Sequence, residues 1–365
     1  MPRSVEERAR WFSWRRQLLG HAGRDDPLEV LRAVVAVYSS QPTGPLSLLA
    51  RMRGLEAEAY QRLVGDRLVL RIPAMRGSVH LIPADTAAQV RAGTAGSMKL
   101  VHPGLRYYKI SEDRYERLKR EIVRLAREPM TTTELRAELG EDARTTTAVL
   151  GAACREAVVL RATGSSLRSN AMTWVAANAW LDGGLPKARP AEARRWLAGE
   201  YLRAFGPVRV EDFAWWSGLD ARAAREALGS LATVELGDGY LIRHEDEREF
   251  SGIRARRGEV ALLPKWDAYQ MGYAPDGRVR FADEDVLGRV YEGSGDGLPM
   301  ILAEGRAVGV WGTRFAGKTM NVTLELFEKA GKALETAIGR ELDGVAALLG
   351  ASAVAVTRGT VTRRT

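Results

Sequence analysis

The chain has 365 residues, 45% of them hydrophobic and 27% charged, a balance of folded globular proteins that excludes a disordered chain and leaves room for two to four compact units. No run approaches the roughly 18 uncharged apolar residues of a membrane span, and the opening MPRSVEERARWFSWRR lacks the apolar core of a signal peptide, so a cytoplasmic protein without membrane contact is expected. The net charge of +8, carried mainly by arginine, fits a polyanionic partner, because guanidinium binds phosphate bidentately, although an arginine-rich chain can equally reflect a GC-rich coding sequence.

From the N-terminus, apolar spacing predicts helices over 5–19 and 27–38, then a polar elbow of Ser39, Ser40 and Gln41. Pro42, Gly44 and Pro45 follow, and further helices are predicted over 45–51 and 56–64. Two β-rich segments, 68–72 and 78–82, flank a turn of Pro73 to Gly77 and read as a hairpin. Helices followed by a hairpin make a winged helix. A second unit opens with an amphipathic helix over 114–126, and Thr131-x-x-Glu134 then forms a capping box that starts a helix ending at Gly140. A helix over 143–156 and strands over 158–162 and 172–175 complete it.

A third unit emerges as an internal repeat. Glu134, Leu135, Gly140, Asp142, Ala143, Arg144 and Leu150 recur 78 residues later as Asp212, Phe213, Gly218, Asp220, Ala221, Arg222 and Leu228. A hairpin turning at Gly237-Asp238-Gly239 closes it. Beyond it, strand-like segments 259–263, 300–303, 306–311 and 320–326 alternate with Gly-rich turns and precede a final helix. The expected fold is α+β, with three tandem winged helix-turn-helix units (1–118, 119–186, 187–243) followed by a β-rich C-terminal domain (244–365). The single cysteine, Cys154, excludes an internal disulfide, and four scattered histidines give no metal-ligand spacing, so neither metal nor other cofactor is expected.

Several segments, in order, resemble the AlkZ/YcaQ-like DNA glycosylases. Ser39-Ser40-Gln41, Pro42 and Leu46 to Arg51 match the family's Gln-x-Gln elbow and Leu-rich helix, with Gln41 kept and Ser39 replacing the first glutamine. Arg76-Gly77-Ser78-Val79-His80 is similar to its Arg-Gly-Thr-x-His segment, and Gly206-Pro207 through Gly218 to its Gly-Pro, Asp-Phe and Trp-Ser-Gly pattern. Leu262 to Asp267 is similar to its Leu-Leu-Pro-x-aromatic-Asp segment, and Gly305 to Trp311 to its Gly-Arg-x-x-Gly-x-Trp strand pair. The resemblance implies a monofunctional enzyme that hydrolyses the N-glycosidic bond of alkylated or bulky-adduct purines, at N7 or N3, in double-stranded DNA. Genotoxin resistance or crosslink repair would be its setting, in a monomeric, nucleoid-associated bacterial protein. A winged-helix DNA-binding protein or regulator without catalysis is the alternative.

The site follows from the chemistry. A purine alkylated at N7 or N3 leaves as a neutral base, so the enzyme need only place a water and stabilise a sugar-centred cation. Gln41 suits that task, its amide oxygen accepting from water while its nitrogen donates, and Ser39 and Asp267 complete the expected catalytic set. Each has a bland reading: the elbow polar groups can simply solvate a helix end, and Asp267 can hold turn amides. DNA contacts are expected from Arg51, Arg76, His80, Lys265 and, at the start of the second unit's recognition helix, Arg144 and Thr145. Tyr38, Trp266 and Tyr269 are expected to line a lesion pocket or wedge the duplex, against a core role for such aromatics. The elbow holds no lysine for a Schiff-base step.

Overall fold

A computed structural model describes residues 4–20, 24–40, 42–95, 103–163, 166–293 and 295–362; Gln41 lies outside them. Helices Val5–Arg16 (α1) and Pro27–Ala33 (α2) lead to a short strand, Val37–Tyr38 (β1), and helices Thr43–Leu49 (α3) and Ala57–Gly65 (α4) follow. Strands Val69–Pro73 (β2) and Val79–Pro83 (β3) form a hairpin, and β1 adds to it, giving an antiparallel sheet in the order β1-β3-β2.

The expected helix over 27–38 is corrected here. It stops at Ala33, Val35 takes a left-handed φ of 70°, and the chain re-emerges as β1. Residues 34–37 are all buried, and a run buried on every side carries no period that separates helix from strand; its β-branched valines favour the strand. The elbow is therefore a strand-to-helix turn.

Helices Ala87–Gly93 (α5) and Pro103–Tyr107 (α6) connect to a second helix–strand–helix–helix–hairpin series. It comprises Glu112–Leu125 (α7), Met130–Thr131 (β4), Thr132–Leu139 (α8), Ala143–Arg155 (α9), Val159–Thr163 (β5) and Met172–Ala176 (β6), with sheet order β4-β6-β5. After Ala177–Trp180 (α10), helices Pro190–Phe205 (α11), Val210–Ser217 (α12) and Ala221–Gly229 (α13) and strands Thr233–Glu235 (β7) and Leu241–Arg243 (β8) repeat the order, a single bridge from Val208 to Leu241 standing for the first strand. The offset of 78 holds in three dimensions at the element level: α8 and α12 end at Gly140 and Gly218, both left-handed, and Asp142 and Asp220 both cap the next helix.

The last part begins with Glu247–Ser251 (α14), Val260–Leu263 (β9), Glu284–Val290 (α15) and Met300–Ala303 (β10). Strands Arg306–Ala316 (β11) and Thr319–Leu326 (β12), helix Lys332–Leu348 (α16) and strand Ala353–Arg358 (β13) complete it. The sheet order is β13-β12-β11-β10-β9, and β13 pairs parallel to β12, so the helix expected at the end is followed by one more strand. The second unit has a core of its own, including Leu118, Ile122, Val149 and Trp174. The first, third and last parts share theirs, joined by Leu160 and Val175 of the second unit's hairpin: α1 supplies Phe12 and Trp14 to a cluster with Phe205, Phe213, Tyr269 and Leu302. Buried Gln17 adds a polar tie, its amide donating to the Ala204 carbonyl at 2.8 Å. Among the described residues no helix is long and apolar enough to cross a membrane.

Candidate active site

The register of β1 decides what surrounds the elbow. Tyr38 lies opposite His80 on β3, their ring centroids 4.5 Å apart, and the Ser39 N–H donates to the Val79 carbonyl at 3.1 Å. Trp266 also stacks with Tyr38, at 6.2 Å and 28°, held by its loop in a left-handed conformation with φ 60°. That loop is tied to the elbow helix α3 by Thr43, whose Oγ1 donates to the Lys265 carbonyl at 3.0 Å. From the β2–β3 turn, Arg76 donates to the Tyr38 hydroxyl at 3.0 Å and lays its guanidinium 3.9 Å over Trp215 of α12.

These groups enclose an open cavity of about 470 Å³ whose walls include Tyr38, Ser39, Ser40, Arg71, Arg76, Arg161 and Trp266. Arg71 rises from the middle of β2, buried, and one of its Nη atoms donates to the Ser39 carbonyl. The Ser40 Oγ is buried without a hydrogen-bond partner among the described residues, an acceptor and donor left open beside the cavity. His80 is buried too, its Nδ1 donating to the Ser78 carbonyl at 2.9 Å; burial, reinforced by the Arg76 charge, pushes the imidazole down to about 4. It is a neutral ring that orients Tyr38.

A concave, partly polar site walled by a strand-to-helix elbow and several arginines suits a nucleic-acid substrate. A family model for AlkZ-like DNA glycosylases matches residues 30–348, which takes in every element that builds this cavity. The chain belongs to the AlkZ-like DNA glycosylase family. Among solved structures, Streptomyces sahachiroi DNA glycosylase AlkZ is similar to it, with a TM-score of 0.75 over 98% of this chain and 100% of that one; at 22% identity the likeness is one of fold. No curated protein sequence matches.

In this glycosylase Tyr38, Ser39, Arg76 and Trp266 come together at the cavity, as the sequence suggests, while other expected residues lie elsewhere. Arg51 and Asp267 are both fully buried and bind each other through two hydrogen bonds of 2.8 Å. Arg51 cannot reach a phosphate, and Asp267, which also accepts from the Tyr269 N–H at 2.8 Å, has its oxygens engaged behind the cavity wall, not aimed into it. Tyr269 is likewise a core residue, bonded to Ser13 Oγ at 3.1 Å and packed edge-on against Tyr273, so it is no wedge. The buried, neutral His80 is not a cationic phosphate contact. Lys265 directs its ammonium to Glu292 at 3.1 Å and Asp296 at 3.7 Å.

On α9, Thr145 is buried with its hydroxyl on Asp142, and that aspartate already accepts from the Arg144 and Thr145 amides, closing the helix end to a phosphate; only the exposed Arg144 side chain stays available. The sequence names Ser40 only as part of the elbow, with no role of its own, and gives Arg71 and Arg161 none. A signal for Arg71 existed, a lone charge inside the apolar strand Val69–Pro73; Arg161 becomes a site residue only through the contact between β2 and β5.

Proposed function

We propose that this glycosylase hydrolyses the N-glycosidic bond of purines alkylated at N7 or N3 in double-stranded DNA, bulky adducts included, by a monofunctional route that serves genotoxin resistance or crosslink repair. The observation that carries the reading lies at the elbow: Ser39 and Ser40 wall a cavity open to solvent, and the Ser40 hydroxyl has no hydrogen-bond partner among the described residues. A cationic base departs without protonation by a strong acid, so a site with hydroxyl and amide groups suffices. Gln41, next in the chain after Ser40, is assigned the water, accepted by its amide oxygen. Ser39 in place of a longer side chain leaves room for a bulky adduct. None of the described residues lining the cavity is a lysine, which supports hydrolysis over a Schiff-base route.

The test is single-turnover excision of 7-methylguanine and of a bulky N7 adduct from duplex DNA. Release of the free base with an intact abasic strand is expected. Failure on every alkylated purine would overturn the substrate assignment.

A further inference from the structure

Arg71 on β2 and Arg161 on β5 meet where the hairpins of the first and second units lie against each other, and both line the cavity. Arg71 is only 2% exposed, and its Nε has no partner among the described residues; the Nε of Arg161 is also buried and unpartnered among them, with its guanidinium 5.1 Å over Trp174. No carboxylate lies within ion-pair distance of either among the described residues. Two other buried arginines, Arg51 and Arg280, are paired, with Asp267 and Asp212 respectively. The one carboxylate lining the cavity among the described residues, Asp296, is drawn to Lys265 at 3.7 Å. Arg278 repeats the pattern nearby: buried, its Nε unpartnered, stacked between Tyr291 at 3.9 Å and Trp215 at 4.9 Å, and close enough to Arg76 to feel its charge.

Two guanidiniums held together without a carboxylate repel each other, and an anion with several acceptor oxygens would relieve both that repulsion and the unpartnered Nε–H groups. Of the parts of a damaged nucleotide only the phosphate fits. A cationic alkylpurine would be repelled, and so would an oxocarbenium sugar set directly against an arginine. We propose that Arg71 and Arg161 form a seat for one phosphodiester of the DNA backbone, a reading that rests on the glycosylase activity but not on the identity of the lesion. The seat adjoins the elbow: Arg71 also holds the Ser39 carbonyl, so the seated phosphate sets the sugar at a fixed distance from Ser39 and Ser40. The phosphate's negative charge then lies between the guanidiniums and the developing sugar cation, favouring the cation.

The experiment measures the affinity of wild type, Arg161→Gln, Arg161→Lys and Arg71→Gln for an undamaged duplex across a salt series, with thermal unfolding of each variant alongside. Arg161→Gln should bind about tenfold more weakly and reduce the slope of log affinity against log salt by about one, the signature of one lost phosphate contact. Arg161→Lys should recover the slope, since it keeps the charge, but not the full affinity. A folded Arg161→Gln or Arg71→Gln with unchanged slope overturns the seat, as does a slope that Arg161→Lys fails to recover. Because no damaged base is used, wild type failing to excise alkylpurines would sink the substrate assignment without touching this result.

Discussion

The Arg51 guanidinium grips the Asp267 carboxylate with two hydrogen bonds of 2.8 Å, neither side chain being exposed. Arg51 follows the elbow helix α3 and Asp267 follows Trp266, so the pair locks the elbow to the aromatic wall that faces it across Tyr38. Arg51 also donates to the Gln17 side chain at 3.1 Å, which brings α1 into the same lock.

Asp267→Ala leaves the Arg51 charge buried and unpaired, and loss of about 3–5 kcal/mol of stability is expected. Urea denaturation checks it. Full stability combined with lost excision would return Asp267 to the chemistry.

Gln41→Ala should leave stability and duplex affinity nearly unchanged and lower single-turnover excision of an N7-alkylpurine by about a hundredfold, the usual loss when a positioned polar group is removed from a transition state. Ser39→Gln, which narrows the cavity wall, should improve excision of a small methylated base and impair that of a bulky one. Equal effects on both substrates would show that Ser39 does not set adduct size.

His80 should make the fold acid-sensitive. Its imidazole titrates at about 4 when folded, against 6.5 when free, so the unfolded chain binds the proton more readily and stability is lost as pH falls from 6.5 towards 4. The full effect is on the order of 3 kcal/mol. Denaturation midpoints between pH 7 and pH 4, compared with His80→Phe, should show this component removed in the variant. Because the ring stays neutral, excision should show no titration near pH 6.5 attributable to His80.

Arg76 is exposed at the cavity mouth and bonded to Tyr38. Arg76→Ala should leave thermal unfolding within about 0.5 kcal/mol of wild type and reduce the salt slope of duplex binding by about one. An unchanged slope would make Arg76 a prop for Tyr38 and Trp215 only.

What the sequence determined by itself is what short-range physics controls. The capping box of Thr131 and Glu134, the left-handed stops at Gly140 and Gly218 and the caps at Asp142 and Asp220 each depend on backbone groups a few residues away, and they carried the repeat into the structure with its offset intact. Family motifs likewise drew attention to Ser39, Arg76 and Trp266, which the fold assembles with Tyr38 around one cavity.

Only the tertiary structure decided which polar residues face that cavity and which are spent inside the protein. Arg51 and Asp267 are 216 residues apart, and Ser13 and Tyr269 256 apart, so nothing in their local sequence announces that each satisfies the other. The approach to the strand at Val37–Tyr38 shows the same limit: residues 34–37 are buried throughout and have no exposed face to give them a period, and the pairing of Val37 with Leu81 and Tyr38 with His80 settles the form. Arg71 and Arg161 become neighbours only when two hairpins pack, because the repulsion between like charges and the absence of a carboxylate are properties of an arrangement in space, not of either residue's place in the chain.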